Sequence, residues 1–184
     1  MTLTETPICN FGEKAKSFDL LSTTNKKISL NDIKGENGTL IMFICNHCPY
    51  VKAVVKDIVE DTKYLETLGI KSVAIMSNDV KNYPEDSFEN MVSFSKLHNF
   101  SFPYLIDETQ KIAKEYGAVC TPDFFVYNKN FELQYRGRIR ELKNLKPVGK
   151  GNSDLRIAMQ LIATSGKGPK NQIPSMGCNI KWFK

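Results

Sequence analysis

Two cysteines three residues apart, Cys45 and Cys48, lie in the stretch Phe43-Ile44-Cys45-Asn46-His47-Cys48-Pro49-Tyr50. Thiols at that spacing on a helix are about one turn apart, so one can attack a partner's disulfide and the other can resolve the mixed disulfide from within. The attacking species is a thiolate, and its supply depends on where the pair sits. Upstream, residues 39–44 are continuously apolar and β-prone, as in a strand buried on both faces. Downstream, Val51, Val54, Val55, Ile58, Val59, Thr62, Leu65 and Leu68 recur at helical steps and give one apolar stripe. The dithiol is therefore expected where a strand hands over to a helix, beside the unpaired N–H groups and positive dipole end that hold an anion. On this reading Cys45 is the more exposed sulfur and the nucleophile, and Cys48 resolves. A proton on His47 near neutral pH would stabilise the Cys45 thiolate and make the disulfide more oxidising. Pro49, just inside the helix, has no hydrogen bond to lose there.

A Cys-x-x-Cys pair is also half of many zinc sites. The remaining thiols, Cys9, Cys120 and Cys178, are single and widely spaced, so no second pair completes such a site. No metal and no organic cofactor is expected. Cys9 reads as a bystander, and Cys178 reads first as a tail cysteine packed by Ile180, Trp182 and Phe183, with a resolving or regulatory role as the alternative.

The elements that must position the pair follow in chain order. Residues 18–21 and 27–30 flank a polar tip and predict a β-hairpin, and 29–33 a short helical turn. The helix after Pro49 should stop near Gly69. Residues 70–76 are a second apolar strand, so strand, helix and strand imply a right-handed parallel crossover. Helix start signals at 83–87 lead a helix through Leu97; 102–106 are extended, and 109–116 are a helix that stops at Gly117. Two strands, 124–127 and 132–136, read as an antiparallel hairpin, and 154–164 as a closing helix. The whole is a mixed α/β sheet flanked by helices on both faces, with the dithiol at the carboxyl edge of a central strand. Residues 1–15 and 166–184 read as irregular extensions of one domain spanning 1–184.

Composition bounds the rest. With 41% hydrophobic and 24% charged residues, a chain of 184 suits one domain with a sizeable core. The net charge of +5 is mild, and no basic stripe is interleaved with aromatics, so nucleic acid is not implied. Arg136, Arg138 and Arg140 alternate and are expected on a solvated sheet face. No window reaches the roughly 18 apolar residues of a membrane span, and the N-terminus lacks the basic and apolar regions of a leader. With an odd number of cysteines, five, a reduced, cytoplasmic setting is expected.

Several segments together resemble the thioredoxin-like superfamily, and within it the redoxin branch of peroxiredoxins (AhpC/TSA) and TlpA/ResA-type oxidoreductases. They are Cys45-Asn-His-Cys-Pro-Tyr-Val, Ser77-Asn-Asp, Tyr83-Pro-Glu-Asp-Ser-Phe, Phe102-Pro-Tyr-Leu-Ile-Asp-Glu-Thr-Gln, Cys120-Thr-Pro-Asp-Phe-Phe-Val-Tyr, Tyr135-Arg-Gly-Arg-Ile and Gly177-Cys-Asn-Ile-Lys-Trp. The resemblance implies a thioredoxin-like fold in which Pro122 is cis and faces the dithiol, while Thr121 offers its backbone to an extended substrate segment. Cis X-Pro bonds are only about one in twenty, so the sequence alone would not have given this. The chain also departs from the pattern. Thioredoxins carry Trp where Ile44 stands, and the acid of their preceding strand has no counterpart among residues 40–44. His47 is the obvious substitute; it also resembles the His of the Cys-Pro-His-Cys oxidases, with Asn46 replacing their proline.

The expected activity is thiol–disulfide exchange. Cys45 attacks or is attacked, Cys48 resolves, His47 tunes the thiolate, and Thr121 with Pro122 holds a disulfide- or dithiol-bearing protein or a thioredoxin-type reductant. A thiol peroxidase is the alternative, but its motif needs Pro and Thr or Ser seven and three residues before the reacting cysteine. Counting back from Cys48 gives Ile41 and Cys45, and from Cys45 gives Gly38 and Met42; the Arg of the late strand is also missing from 121–126. A redox sensor or metal chaperone is a third class. There Cys120, which the fold would bring near the pair, adds a soft ligand; otherwise it is a packed core thiol.

Overall fold

The computed structural model describes residues 2–184. The strands are β1 (Leu3–Glu5), β2 (Asp19–Ser22), β3 (Lys27–Ser29), β4 (Gly38–Phe43), β5 (Ile70–Met76), β6 (Tyr104–Ile106), β7 (Cys120–Thr121), β8 (Asp123–Asn128), β9 (Leu133–Arg136), β10 (Leu142–Lys143), β11 (Lys146–Pro147) and β12 (Met176–Asn179). The helices are α1 (Pro49–Glu66), α2 (Phe88–Leu97), α3 (Lys111–Glu115) and α4 (Asp154–Ser165). Seven strands form one sheet in the order β3-β2-β6-β5-β4-β8-β9, with β4 parallel to β5 and antiparallel to β8. This is the mixed α/β architecture expected from the sequence.

All six residues of β4 are buried because the strand divides two cores. Leu40, Met42 and Ile44 face one, with α1, α2 and α4, whereas Ile41 and Phe43 face the other, with Ile112, Tyr116 and Phe125. A strand covered on both sides cannot alternate polar with apolar, so its sequence is a continuous run. α1 lays Val51, Val54, Val55, Ile58 and Leu65 on the first core. Each fully buried side chain of this size contributes about 1.5–3 kcal/mol. Gly69, at φ 72, adopts the left-handed turn that returns the chain to β5. A buried carboxylate joins α1 to α4: Asp61 accepts from Arg156 Nε at 2.7 Å and from the Ser153 hydroxyl, and Ser153 also caps α4 by accepting from Arg156 N–H at 2.9 Å.

The structure corrects four expectations. The helix expected from 83 is divided into a 3-10 turn, Pro84–Asp86, and α2, because Ser87 is extended at ψ 158 and caps α2 by accepting from Asn90 N–H. Residues 30–33 form only a turn, with Asp32 accepting from Ser29 N–H at 2.8 Å. The extensions are not irregular throughout, since β12 pairs with both β1 and β7 in a second sheet, order β1-β12-β7. Strands this short carry no readable period, and their partners lie at the opposite end of the chain. The arginines do not share a solvated face. Arg136 is buried against Asp123 at 2.8 Å, Arg138 pairs with Asp154 at 2.6 Å and Arg140 with Asp57 at 3.1 Å, since β9 ends at Arg136.

Candidate active site

The loop between β4 and α1 carries Cys45, Asn46 and His47, and Cys48 is the N-cap residue of α1, extended at φ −64 and ψ 122. Both sulfurs are thiols and both are buried, with Cys45 1% and Cys48 0% exposed, so the expected exposure of Cys45 is not found. The Thr121–Pro122 bond is cis. Cys48 Sγ lies 3.2 Å from the Thr121 carbonyl oxygen, to which its S–H donates when protonated, and Cys45 Sγ lies 3.4 Å from Thr121 Oγ1. The structure thus brings Cys45, Cys48, His47, Thr121 and Pro122 into one site. Thr121's backbone is not open to a substrate, however, because β12 already pairs with it, Cys178 opposite Thr121. The extended segment on that edge is the chain's own.

The two thiols share one favourable negative charge, and the surroundings place it on Cys48. The Cys45 S–H bond to Cys48 lowers the Cys48 pKa most; burial opposes it, and the Thr121 hydroxyl, Val51 N–H and Cys178 add to the lowering, to about 5. Cys45 is held well above its ordinary value by donating to Cys48, by burial and by the nearby charge of Asp86. The sequence reading put the thiolate on Cys45. The helix begins immediately after Cys48, so its unpaired N–H groups serve that sulfur instead.

Asp86 is the residue that sequence reasoning missed. It is fully buried and accepts from Asn46 N–H at 2.8 Å, His47 N–H at 3.2 Å, Asn78 Nδ2 at 2.8 Å and the His47 ring at Nδ1 at 2.6 Å. The His47 pKa is raised, chiefly by this hydrogen bond; Asp86 stays low because His47 and Asn78 outweigh the upward push of its burial. The two therefore form an ion pair, and the imidazolium charge is largely matched before it reaches Cys45 Sγ, 3.9 Å from Nδ1. Tyr83 stacks on the His47 ring at 5.7 Å, and Tyr104 Oη donates to Asn46 Oδ1 at 2.9 Å. A buried acid thus stands beside the dithiol after all, supplied by the 3-10 turn. Its only trace in the sequence is Pro84-Glu85-Asp86, which reads equally well as a helix start.

Ligand atoms of Cys45, His47 and Asp86 lie within 4.8 Å of one another, the spacing of a metal site. Both Asp86 oxygens are occupied by donors, and His47 Nδ1 is the atom engaged, so the carboxylate orients the loop instead of presenting a ligand. Cys120 is outside this group. Its Sγ points at the Pro122 carbonyl, 3.7 Å away, and burial pushes its pKa far up. Cys178 is not packed by Ile180 and Trp182. It joins the core of Cys45 and Cys48, whereas those two residues join the opposite core, because the chain crosses over after β12. Beyond Pro122 a groove of about 430 Å³ is lined by Tyr50 and Ile139 together with the charged Glu5, Arg138, Arg140 and Glu141.

Residues 11–142 match the model of the AhpC/TSA family. Over all of its length, and 97% of the other chain, this chain is similar to an uncharacterized conserved protein from Geobacillus kaustophilus, with 38% identity and a TM-score of 0.94. The thioredoxin domain of a thiol-disulfide oxidoreductase from Bacteroides vulgatus aligns at TM-score 0.59 and 14% identity, over 73% of this chain and 89% of that one, which shows the shared thioredoxin-like fold. The thiol-disulfide oxidoreductase ResA of Bacillus subtilis (strain 168) is 25% identical over 117 residues. That match covers 64% of this chain and 61% of ResA. With its dithiol at a strand-to-helix junction, a cis proline opposite and a family match over most of its length, the chain belongs to the AhpC/TSA family.

Proposed function

We propose that the protein is a thiol–disulfide oxidoreductase that exchanges a two-electron disulfide with protein partners through Cys45 and Cys48. The observation that carries this reading is the pair of buried sulfurs at the cap of α1, both set against Thr121, which precedes cis Pro122. Passage of the shared proton from Cys45 to Cys48 leaves a Cys45 thiolate at the His47 side of the site. That side is the open one, since His47 retains 15% of its side-chain exposure. The thiolate attacks one sulfur of a partner's disulfide, forming a mixed disulfide and expelling the other sulfur, which is protonated from His47. Cys48 attacks Cys45 Sγ and its proton passes to the departing partner sulfur; the Cys45–Cys48 bond forms, the mixed disulfide breaks, and the partner leaves as a dithiol carrying both electrons. The reverse sequence oxidises a partner. The groove beyond Pro122, lined by both apolar and charged side chains, is where we place the partner's chain, because Thr121's own edge is filled. A cytoplasmic, reducing setting belongs to the same proposal and is supported by the odd number of thiols.

The test is the Cys45–Cys48 reduction potential in glutathione buffers, with peroxide turnover driven by a thioredoxin system measured alongside. A reversible two-electron couple with negligible peroxide turnover is expected. Rapid peroxide reduction that survives Cys45→Ser or Cys48→Ser would make the protein a peroxidase and overturn the reading.

A further inference from the structure

We infer that Cys178 is a third exchanging thiol, which accepts the disulfide of the pair by forming a Cys48–Cys178 bond. The inference rests on the reading of Cys45 and Cys48 as an exchange dithiol. Three features of β12 carry it. First, Cys178 stands opposite Thr121, whose carbonyl oxygen lies 3.2 Å from Cys48 Sγ, so the strand register delivers its sulfur to the dithiol. Second, Gly177 lets the strand seat closely: a Cβ there would run into the Thr121 carbonyl oxygen. Third, Cys178 is hydrogen-bonded to Cys48, is only 4% exposed, and shares the apolar cluster of Cys45 and Cys48. Cys48 is thus the common neighbour of both other sulfurs.

The strand is firmly placed. Asn179 N–H donates to the Thr2 carbonyl at 3.1 Å, Ile180 N–H to Val119 at 3.1 Å, Ser175 Oγ to the Pro122 carbonyl at 2.7 Å and Lys181 N–H to Asn78 Oδ1 at 2.8 Å. Two sulfurs held together in this way react at a high effective concentration. With the Cys45–Cys48 bond formed, Cys178 attacks Cys48 Sγ, the Cys48–Cys178 bond forms, and Cys45 Sγ departs and takes the proton that Cys178 gives up. No electrons leave the protein, and the only oxidising equivalent is the disulfide already drawn from the partner. Burial pushes the Cys178 thiol up to about 12, so it rests protonated and acts only once the pair is oxidised. The product stores the disulfide inward and presents a reduced Cys45 to the next partner.

Cys45→Ser removes the competing disulfide. The variant is oxidised in glutathione buffer, quenched in acid, alkylated and mapped by mass spectrometry, with circular dichroism as the check on folding. The Cys48–Cys178 disulfide is expected to exceed the Cys48–glutathione adduct by about tenfold or more; Cys45→Ser/Cys178→Ala should give the adduct instead. A folded Cys45→Ser protein that accumulates the adduct while Cys178 remains fully alkylated would overturn the inference. Partly oxidised wild-type protein, mapped in the same way, gives a reading that needs no substitution: a Cys48–Cys178 fraction beside Cys45–Cys48 is expected, and its complete absence counts against the relay. Failure of Cys45–Cys48 itself to form would instead sink the exchange reading on which the relay rests.

Discussion

Asp86 decides how the charges in the site are shared. It holds the backbone of Asn46 and His47 and the His47 ring at once, and its negative charge lies close enough to keep Cys45 protonated. Asp86→Asn should therefore lower the pKa of both His47 and Cys45 and cost about 1–3 kcal/mol of stability. The His47 ring proton followed by NMR against pH would show the first effect, and an unmoved His47 titration would refute the pairing. Because the His47 pKa is raised on folding, its contribution is complete below the unfolded value near 6.5 and fades as pH rises through the folded one. Cys48 runs the opposite way. Its depressed pKa stabilises the reduced protein fully above the unfolded value near 9, and that gain is lost as pH falls towards about 5. Thiolate absorbance of the reduced protein should persist at neutral pH and vanish through about 5. It should disappear in Cys48→Ser, and its midpoint should rise in Cys45→Ala, which removes the largest lowering contact. Cys45, His47 and Cys48 were legible in the sequence because they are neighbours in the chain. Asp86 was not, since it reaches His47 from 39 residues away and its own segment, Tyr83-Pro-Glu-Asp-Ser-Phe, reads locally as a helix start.

β4 and α1 were the most legible elements, because a strand between two cores must be apolar throughout and a helix against one core must carry a stripe. The 3-10 turn before α2 was misread because proline and acids start both kinds of helix, and the choice depends on Ser87. Two junctions between elements offer sharp tests. Ser153→Ala removes the α4 cap and one partner of the buried Asp61, so it should cost about 1–2 kcal/mol in denaturant unfolding. An exposed cap with no buried partner would cost less. Arg136 ties the end of β9 to Asp123, the residue after Pro122, and also donates to the Gly117 carbonyl at 2.8 Å. Arg136→Met leaves Asp123 buried without its counter-charge, and about 3–5 kcal/mol should be lost. A change below 1 kcal/mol in the same unfolding measurement would mean that Asp123 is neutral in the folded protein.

Across the whole molecule, the sheet β1-β12-β7 draws both ends of the chain over the dithiol. This was the least legible part of the fold: strands of two to four residues leave no pattern, and the register that puts Cys178 beside Cys48 exists only once the chain has closed. The segment is pinned further by Gln110, whose amide donates to the Lys181 carbonyl at 2.8 Å and whose Oε1 accepts from Phe183 N–H at 2.8 Å. Replacing Gln110 with Ala should loosen that seam and speed the alkylation of Cys45 and Cys48 without touching either sulfur. The burial of both sulfurs has a kinetic meaning as well. A reagent meets them only during a transient opening, so the observed rate at low reagent is the chemical rate scaled by the population of the open form. As reagent is increased, the rate should level off at the opening frequency, and reagents of very different intrinsic reactivity should converge on one plateau. The tempo of the first chemical event would then belong to the protein's own breathing, whichever molecule arrives to react.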